Sequence, residues 1–260
     1  MLQYIIIYLI TIVFWIWIIR KYDRFEPEPL KNVLFVFAAG GLLSSFPAGL
    51  FNMIFSNMIG YDFTSGTETA YSLEKMGIFY GFVGLNEEFW KAAATVVLIR
   101  RMKEFDEPAD ALVYSMSVAF GFSVFENFDY TERYGLSTFI YRQINAVPLH
   151  IGLAAIWGMG IARGRFHNRG KYFYTLIPYV ILAGIIHGFY NLSATYQLSP
   201  VLAIGIPAAI ALLLIGFAVR KIRKYAENFA PVDPFICPSC NFPYESGSIY
   251  CSQCGNRLGS

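Results

Sequence analysis

The sequence predicts an all-α polytopic membrane protein of about seven transmembrane helices with a small C-terminal module built on four cysteines. Of its 260 residues, 56 % are hydrophobic and only 15 % charged. The apolar residues fall in blocks of roughly 18–25, each long enough to cross a ~30 Å hydrocarbon core. All four cysteines lie at position 237 or beyond. Backbone in lipid has no water to bond, so spans of this composition must close their hydrogen bonds internally, as helices do.

The predicted spans are 2–19, 32–55, 77–99, 109–127, 140–162, 172–193 and 201–219. The first is expected to be retained: Met1 to Gln3 supply no basic leader and no small-residue cleavage site precedes Arg20. Basic residues alternate between the connections. Arg20, Lys21, Arg24 and Lys31 follow the first span; Arg100, Arg101 and Lys103 the third; Arg163, Arg165, Arg169 and Lys171 the fifth; Arg220, Lys221, Arg223 and Lys224 the last. The other connections hold only Lys75 and Arg133. The excess of cations in short cytoplasmic loops then places the N-terminus outside and the C-terminus in the cytoplasm of a cell whose plasma membrane the chain crosses repeatedly.

The tail reads Cys237-Pro-Ser-Cys240 and, ten residues on, Cys251-Ser-Gln-Cys254-Gly255. Two such knuckles suit a tetrahedral structural Zn2+ held by four thiolates, a zinc ribbon, and a reducing cytoplasm favours metal ligation over disulfides. A redox pair would want a βαβ context that the sequence lacks. The tail has too few apolar residues for a core, so the metal is expected to fold it. Its only cation is Arg257, which argues against nucleic acid and for a cytoplasmic protein contact. Residues 1–224 thus form the membrane domain, 225–236, with Pro231 and Pro234, a linker, and 237–260 the ribbon.

Polar residues inside the spans carry the functional expectation. A charge at the bilayer centre costs about 2.5–3.5 kcal/mol even on lenient scales, so an intramembrane acid marks a functional site by default. The third span holds Glu87 and Glu88, with Lys91 four residues after the former and on its face. The fourth ends near Phe125-Glu126 and Tyr130; the fifth carries Arg142, Asn145 and His150, two residues past Pro148; the sixth has His187 and, four residues on, Asn191. Counted at 1.5 Å per residue from the outer ends, Glu87, Glu88 and His150 fall about 15 Å down and His187 about 9 Å, with Glu126 and Asn191 nearer the surface. Matched depths on separate helices predict a polar cavity facing the outer side.

A desolvated carboxylate beside a histidine can act as general base on water, and an imidazole with a carboxamide can stabilise an oxyanion. No G-x-S-x-G is present and no cysteine lies in a span, which argues against a covalent nucleophile; H-E-x-x-H is also missing. The same acids would serve a proton- or cation-coupled transporter or channel, although no inverted repeat is visible. A non-catalytic scaffold whose ribbon recruits a partner is a third reading.

The set Glu87-Glu88-x-x-Lys91, Phe125-Glu126-x-x-x-Tyr130 and His187-x-x-x-Asn191 resembles the PrsW family of intramembrane proteases, within the CAAX-protease superfamily of glutamate-dependent membrane endopeptidases. Asp23-Arg24-Phe25-Glu26-Pro27-Glu28-Pro29 and Asp110-Ala111-Leu112-Val113-Tyr114 add to the likeness, which covers residues 20–195. The resemblance implies that Glu87 and Glu88 are essential acids, one of them activating water, that His150 holds that water, that His187 and Asn191 stabilise the oxyanion, and that Glu126 supports them. Lys91 departs from the arginine one position later in many superfamily members. The resemblance also implies a membrane-anchored regulatory protein, such as an anti-sigma factor, as substrate, cut on the extracytoplasmic side. Two glutamates and two histidines permit a catalytic zinc, but no ligand spacing of a known kind supports it, so metal-free water activation is expected.

Overall fold

The structure, a computed structural model, describes residues 2–21, 27–63, 71–167, 172–196, 200–228, 235–237, 239–240, 242–244 and 249–258. The stretch Asp23 to Glu26, the cations Arg169 and Lys171, and linker positions 229–234 lie outside the described residues.

Eight α-helices and a two-stranded ribbon make up the described chain: α1 (Leu2–Lys21), α2 (Leu30–Ile59), α3 (Leu73–Ile99), α4 (Pro108–Tyr134), α5 (Leu136–Ile144), α6 (Ala146–Ala162), α7 (Tyr172–Tyr196), α8 (Pro200–Asn228), β1 (Phe235–Ile236) and β2 (Pro243–Tyr244). A π-helical turn, Arg163–His167, extends α6. Among the described residues, four stretches are long and apolar enough to cross a membrane, namely α2, α4, Leu136–Phe166 and Tyr172–Thr195. α3 is equally long, but its middle carries Glu87, Glu88 and Lys91, the charges the bundle has to accommodate.

α4 and α6 are buried on nearly every face, and α2, α3, α7 and α8 pack around them. The outer helices are turned the other way. Leu9, Val13 and Trp17 of α1, Phe35 and Phe46 of α2, and Ile181 and Ile185 of α7 are exposed, as expected where lipid replaces water. Start and stop signals are local. Ser72 caps α3 by accepting from the Lys75 amide at 3.3 Å; Glu107 and Asp110 form a capping box on α4, with Pro108 in its first turn; and Gly60, at φ 62, ends α2 in the left-handed conformation.

The expected fifth span, one helix bent at Pro148, is two helices. α5 ends at Ile144 and the chain turns at Asn145 (φ −112, ψ −60). Proline removes its own N–H and crowds the carbonyl four residues back, which for Pro148 is that of Ile144. The Asn145 side chain donates to the Tyr141 carbonyl at 3.0 Å, closing part of the opened turn. α4 also runs seven residues beyond its expected end at 127, to Tyr134.

α3 and α7 approach so closely that glycine is required at the contact. A Cβ on Gly84 would collide with the backbone of Gly184 and Gly188, and one on Gly188 with that of Tyr80 and Gly81. Small residues let membrane helices pack backbone to backbone. Here they flank His187 and lie one turn from Glu88, so they set the distance between the two.

Candidate active site

α3, α4, α6 and α7 deliver Glu87, Glu88, Glu126, His150 and His187 to one cluster, buried except for the partly exposed Glu126. Glu88 is fully buried and both oxygens of its carboxylate have donors. Oε1 accepts from Lys91 Nζ at 2.5 Å and from His187 Nδ1 at 2.8 Å, and Oε2 from Trp157 Nε1 at 2.8 Å. Lysine therefore pairs with Glu88, three residues before it, and not with Glu87 as the i, i+4 spacing suggested. Both spacings lie on one helix face; His150 decides, because its Nδ1 takes the same ammonium at 2.9 Å.

Those contacts fix both imidazoles. Lys91 only donates, so His150 Nδ1 is the acceptor and Nε2 carries the hydrogen, which it gives to Glu126 Oε2 at 2.9 Å. Glu88 only accepts, so His187 Nδ1 carries the hydrogen and Nε2 of the neutral ring presents a lone pair. That lone pair points at Glu87 Oε2, 3.7 Å away. The rings themselves stand perpendicular, centroids 4.9 Å apart.

Glu87 is held from one side only. Its Oε1 accepts from Asn52 Nδ2 at 3.1 Å, while Oε2 is buried and has no hydrogen-bond partner. Asn52 is oriented in turn by Asn86, whose Nδ2 donates to Asn52 Oδ1 at 2.8 Å and to the Ala48 carbonyl at 2.9 Å. Two acceptors, Glu87 Oε2 and His187 Nε2, thus face each other across a gap too long for a direct hydrogen bond.

Glu126 is secured by α5. Arg142 Nη2 lies 2.8 Å from Glu126 Oε2, its Nε donates to Asn127 Oδ1 at 2.5 Å, and the guanidinium covers the Tyr130 ring at 4.0 Å. Asn191 is not hydrogen-bonded to His187 among the described residues; it lies one turn closer to the end of α7, half-buried. Sequence reading gave no role to Asn52, Asn86, Trp157 or Asn127. The two amides in apolar α2 and α3 were the available sign, since amides in lipid seek partners.

Residues 28–219 match the family model described as PrsW family intramembrane metalloprotease. The chain belongs to that family. Among PrsW relatives, Protease PrsW of Clostridioides difficile is 27 % identical over 83 % of this chain and 87 % of its own length. That of Geobacillus kaustophilus is 30 % identical over 65 % and 69 %, and that of Bacillus subtilis 26 % over 78 % and 86 %. No solved structure matches the chain. The chain is accordingly an intramembrane protease, a peptide hydrolase embedded in a lipid bilayer, and its five clustered acids and histidines all lie within the matched PrsW region.

Two donor sets can hold a metal. Glu87, His150 and His187 each offer one ligand atom within 4.8 Å of the others. The orphaned Glu87 Oε2 and the His187 Nε2 lone pair suit a divalent cation, and the Glu88 contact to His187 Nδ1 is the carboxylate support that metal-bound histidines usually have. The catalytic metal that the sequence did not favour therefore has two ready ligands in Glu87 and His187, whereas His150 would have to give up Lys91 or Glu126 to be the third.

In the tail, Cys237, Cys240, Cys251 and Cys254 gather within the same limit, with Sγ–Sγ separations of 3.6 Å for 237–254 and 240–251. Thiolates at ~2.3 Å from a tetrahedral centre stand about 3.8 Å apart, whereas a disulfide needs ~2.05 Å. β1 pairs antiparallel with β2, Phe235 opposite Tyr244. The Cys251 amide donates to the Asn256 carbonyl at 2.8 Å around Gly255, whose φ is 72.

Proposed function

We propose that the chain hydrolyses a peptide bond of a membrane-anchored regulatory protein, anti-sigma-like in class, with water held between Glu87 and His187 in the outer half of the plasma membrane. The observation that carries this is the pair of facing acceptors, Glu87 Oε2 without a donor and His187 Nε2 3.7 Å from it. A water there gives one hydrogen to each and turns an oxygen lone pair outward.

Glu87 is the general base in this reading and Glu88 its support. Glu88 accepts from Lys91, Trp157 and His187, so it holds the His187 tautomer and is already engaged on both oxygens. Glu126, anchored by Arg142, holds the His150 ring. A divalent cation, if bound, would be held by Glu87 and His187 in place of that water, with His150 as a third ligand only on release from Lys91 or Glu126. Such an ion would lower the pKa of a bound water and polarise the scissile carbonyl.

The charge count supports an N-terminus outside and a cytoplasmic C-terminus. Residues 1–224 act as the protease domain, 225–236 as linker and 237–260 as a structural Zn2+ ribbon that contacts a cytoplasmic protein.

The test uses purified protein in liposomes with tagged single-span substrates, comparing wild type, Glu87→Gln and Glu88→Gln for fragment release. Loss of cleavage in Glu87→Gln at normal folding supports the proposal. Continued cleavage in both variants removes the glutamates from the chemistry and brings forward a proton- or cation-translocating role, read as ion flux in the same liposomes.

A further inference from the structure

At the opposite end of α3 from its N-cap lies a second polar feature, open to the surface, that hydrolysis does not use. A cavity of ≈ 590 Å³ is lined by Arg100, Arg101, Lys103 and Arg165 with Phe105, Phe166, Met102 and Asp106. Four cations face a single carboxylate. None of the four makes a side-chain hydrogen bond or ion pair among the described residues, and Arg165 lies over the Phe105 ring at 5.8 Å.

Like charges gathered on short segments repel and would spread if the backbone allowed it. Here it does not. The Met102 amide donates to the Ile99 carbonyl at 3.0 Å, and Asp110 Oδ2 accepts from the Asp106 and Glu107 amides at 3.0 and 2.7 Å, folding the α3–α4 connection tightly. Phe105 is buried against Phe166, ring centroids 5.4 Å apart and nearly perpendicular. That contact ties the connection to the π-helical turn after α6, where Arg165 stands. Topological charge alone needs neither a concave wall nor an aromatic floor.

Depth selects the ligand. Arg100 is twelve residues beyond Glu88, about 18 Å along α3, while half of a hydrocarbon core is ~15 Å. If Glu88 lies near the midplane, the cavity is level with lipid phosphates. We infer that this cavity binds the phosphate group of an anionic ligand, with an acidic phospholipid headgroup as occupant, its acyl chains lying along the exposed apolar faces of the bundle. Guanidinium forks match phosphate oxygens in pairs, and basic pockets between helix ends are the expected headgroup receptors.

The experiment titrates full-length protein in neutral detergent with phosphatidylglycerol, phosphatidylcholine or inorganic phosphate, reading retained lipid by native mass spectrometry and Tm by unfolding. Phosphatidylglycerol is expected to stay bound and raise Tm, and phosphatidylcholine to do neither. Arg100→Gln/Arg101→Gln/Arg165→Gln should weaken retention about a hundredfold, and Arg165→Gln alone about fivefold. Arg220→Gln/Lys221→Gln/Lys224→Gln removes the same charge from the end of α8 and should leave retention unchanged. If millimolar phosphate displaces the lipid, the site serves free phosphate; if the lipid stays, it serves the headgroup. Equal weakening in both triple variants, or no preference for phosphatidylglycerol over phosphatidylcholine, overturns the inference.

Discussion

His187 Nε2 faces Glu87 Oε2 across 3.7 Å, and the hydrogen on the other ring nitrogen is fixed by Glu88 Oε1 at 2.8 Å. Neighbouring residues of one helix therefore treat one histidine in two ways: Glu88 orients the ring and Glu87 shares its free edge. The arrangement separates holding from reacting, and the two glutamates should fail differently when neutralised.

Glu87→Gln should abolish cleavage, by at least the ~10²–10⁴-fold typical of a lost general base, with little change in Tm. The amide keeps an oxygen for Asn52 and fills the same volume. Fragment release and thermal unfolding on the same preparation check both halves.

Glu88→Gln should instead lower stability by about 3–5 kcal/mol, because the fully buried Lys91 is left charged and unpaired. Glu88→Gln/Lys91→Met should regain most of that stability while cleavage stays low, since His150 Nδ1 then has no donor to hold its tautomer. Tm of the single and double variants, set against activity, reads the difference.

Arg142→Gln should reduce cleavage through a residue that touches neither water nor substrate in the proposed mechanism. Arg142→Lys should restore only part of the activity, because an ammonium cannot span Glu126 and Asn127 as a guanidinium does. A loss in kcat with KM little changed is the expected pattern.

Gly84→Ala should push α3 from α7 and cost about 1–3 kcal/mol, as overpacking does, with cleavage falling further as Glu88 and His187 separate. Gly81→Ala, where a Cβ meets nothing within 4 Å, is the matched control and should be near neutral on both counts.

Metal analysis should separate the two donor sets. Cys237→Ser/Cys240→Ser should remove the ribbon's metal and leave cleavage intact, whereas His187→Ala should abolish cleavage together with any metal held by the Glu87 cluster. Bound zinc per chain by atomic emission, with activity after chelation and zinc addition, checks each assignment.

Properties that are local or compositional were legible in the sequence. Apolar blocks marked the helices, the spacing of four cysteines marked a cluster that could hold a metal, and acids and histidines out of place in apolar helices singled out Glu87, Glu88, His150 and His187, which the fold gathers together. The end of α4 was not legible, since a helix end is set by capping and not by hydropathy, and α4 continues past 127 to Tyr134.

Tertiary structure alone decided the partners. A helix fixes which residues share a face but not which neighbour that face meets. The contact between α3 and α7 at Gly84, Gly184 and Gly188 places His187 on Glu88; the break before Pro148 frees α5 to carry Arg142 onto Glu126; and α2 brings Asn52 to Glu87. Sequence therefore determined that this chain would bury charged chemistry in a membrane, whereas packing determined which carboxylate was neutralised and which was left with an open oxygen.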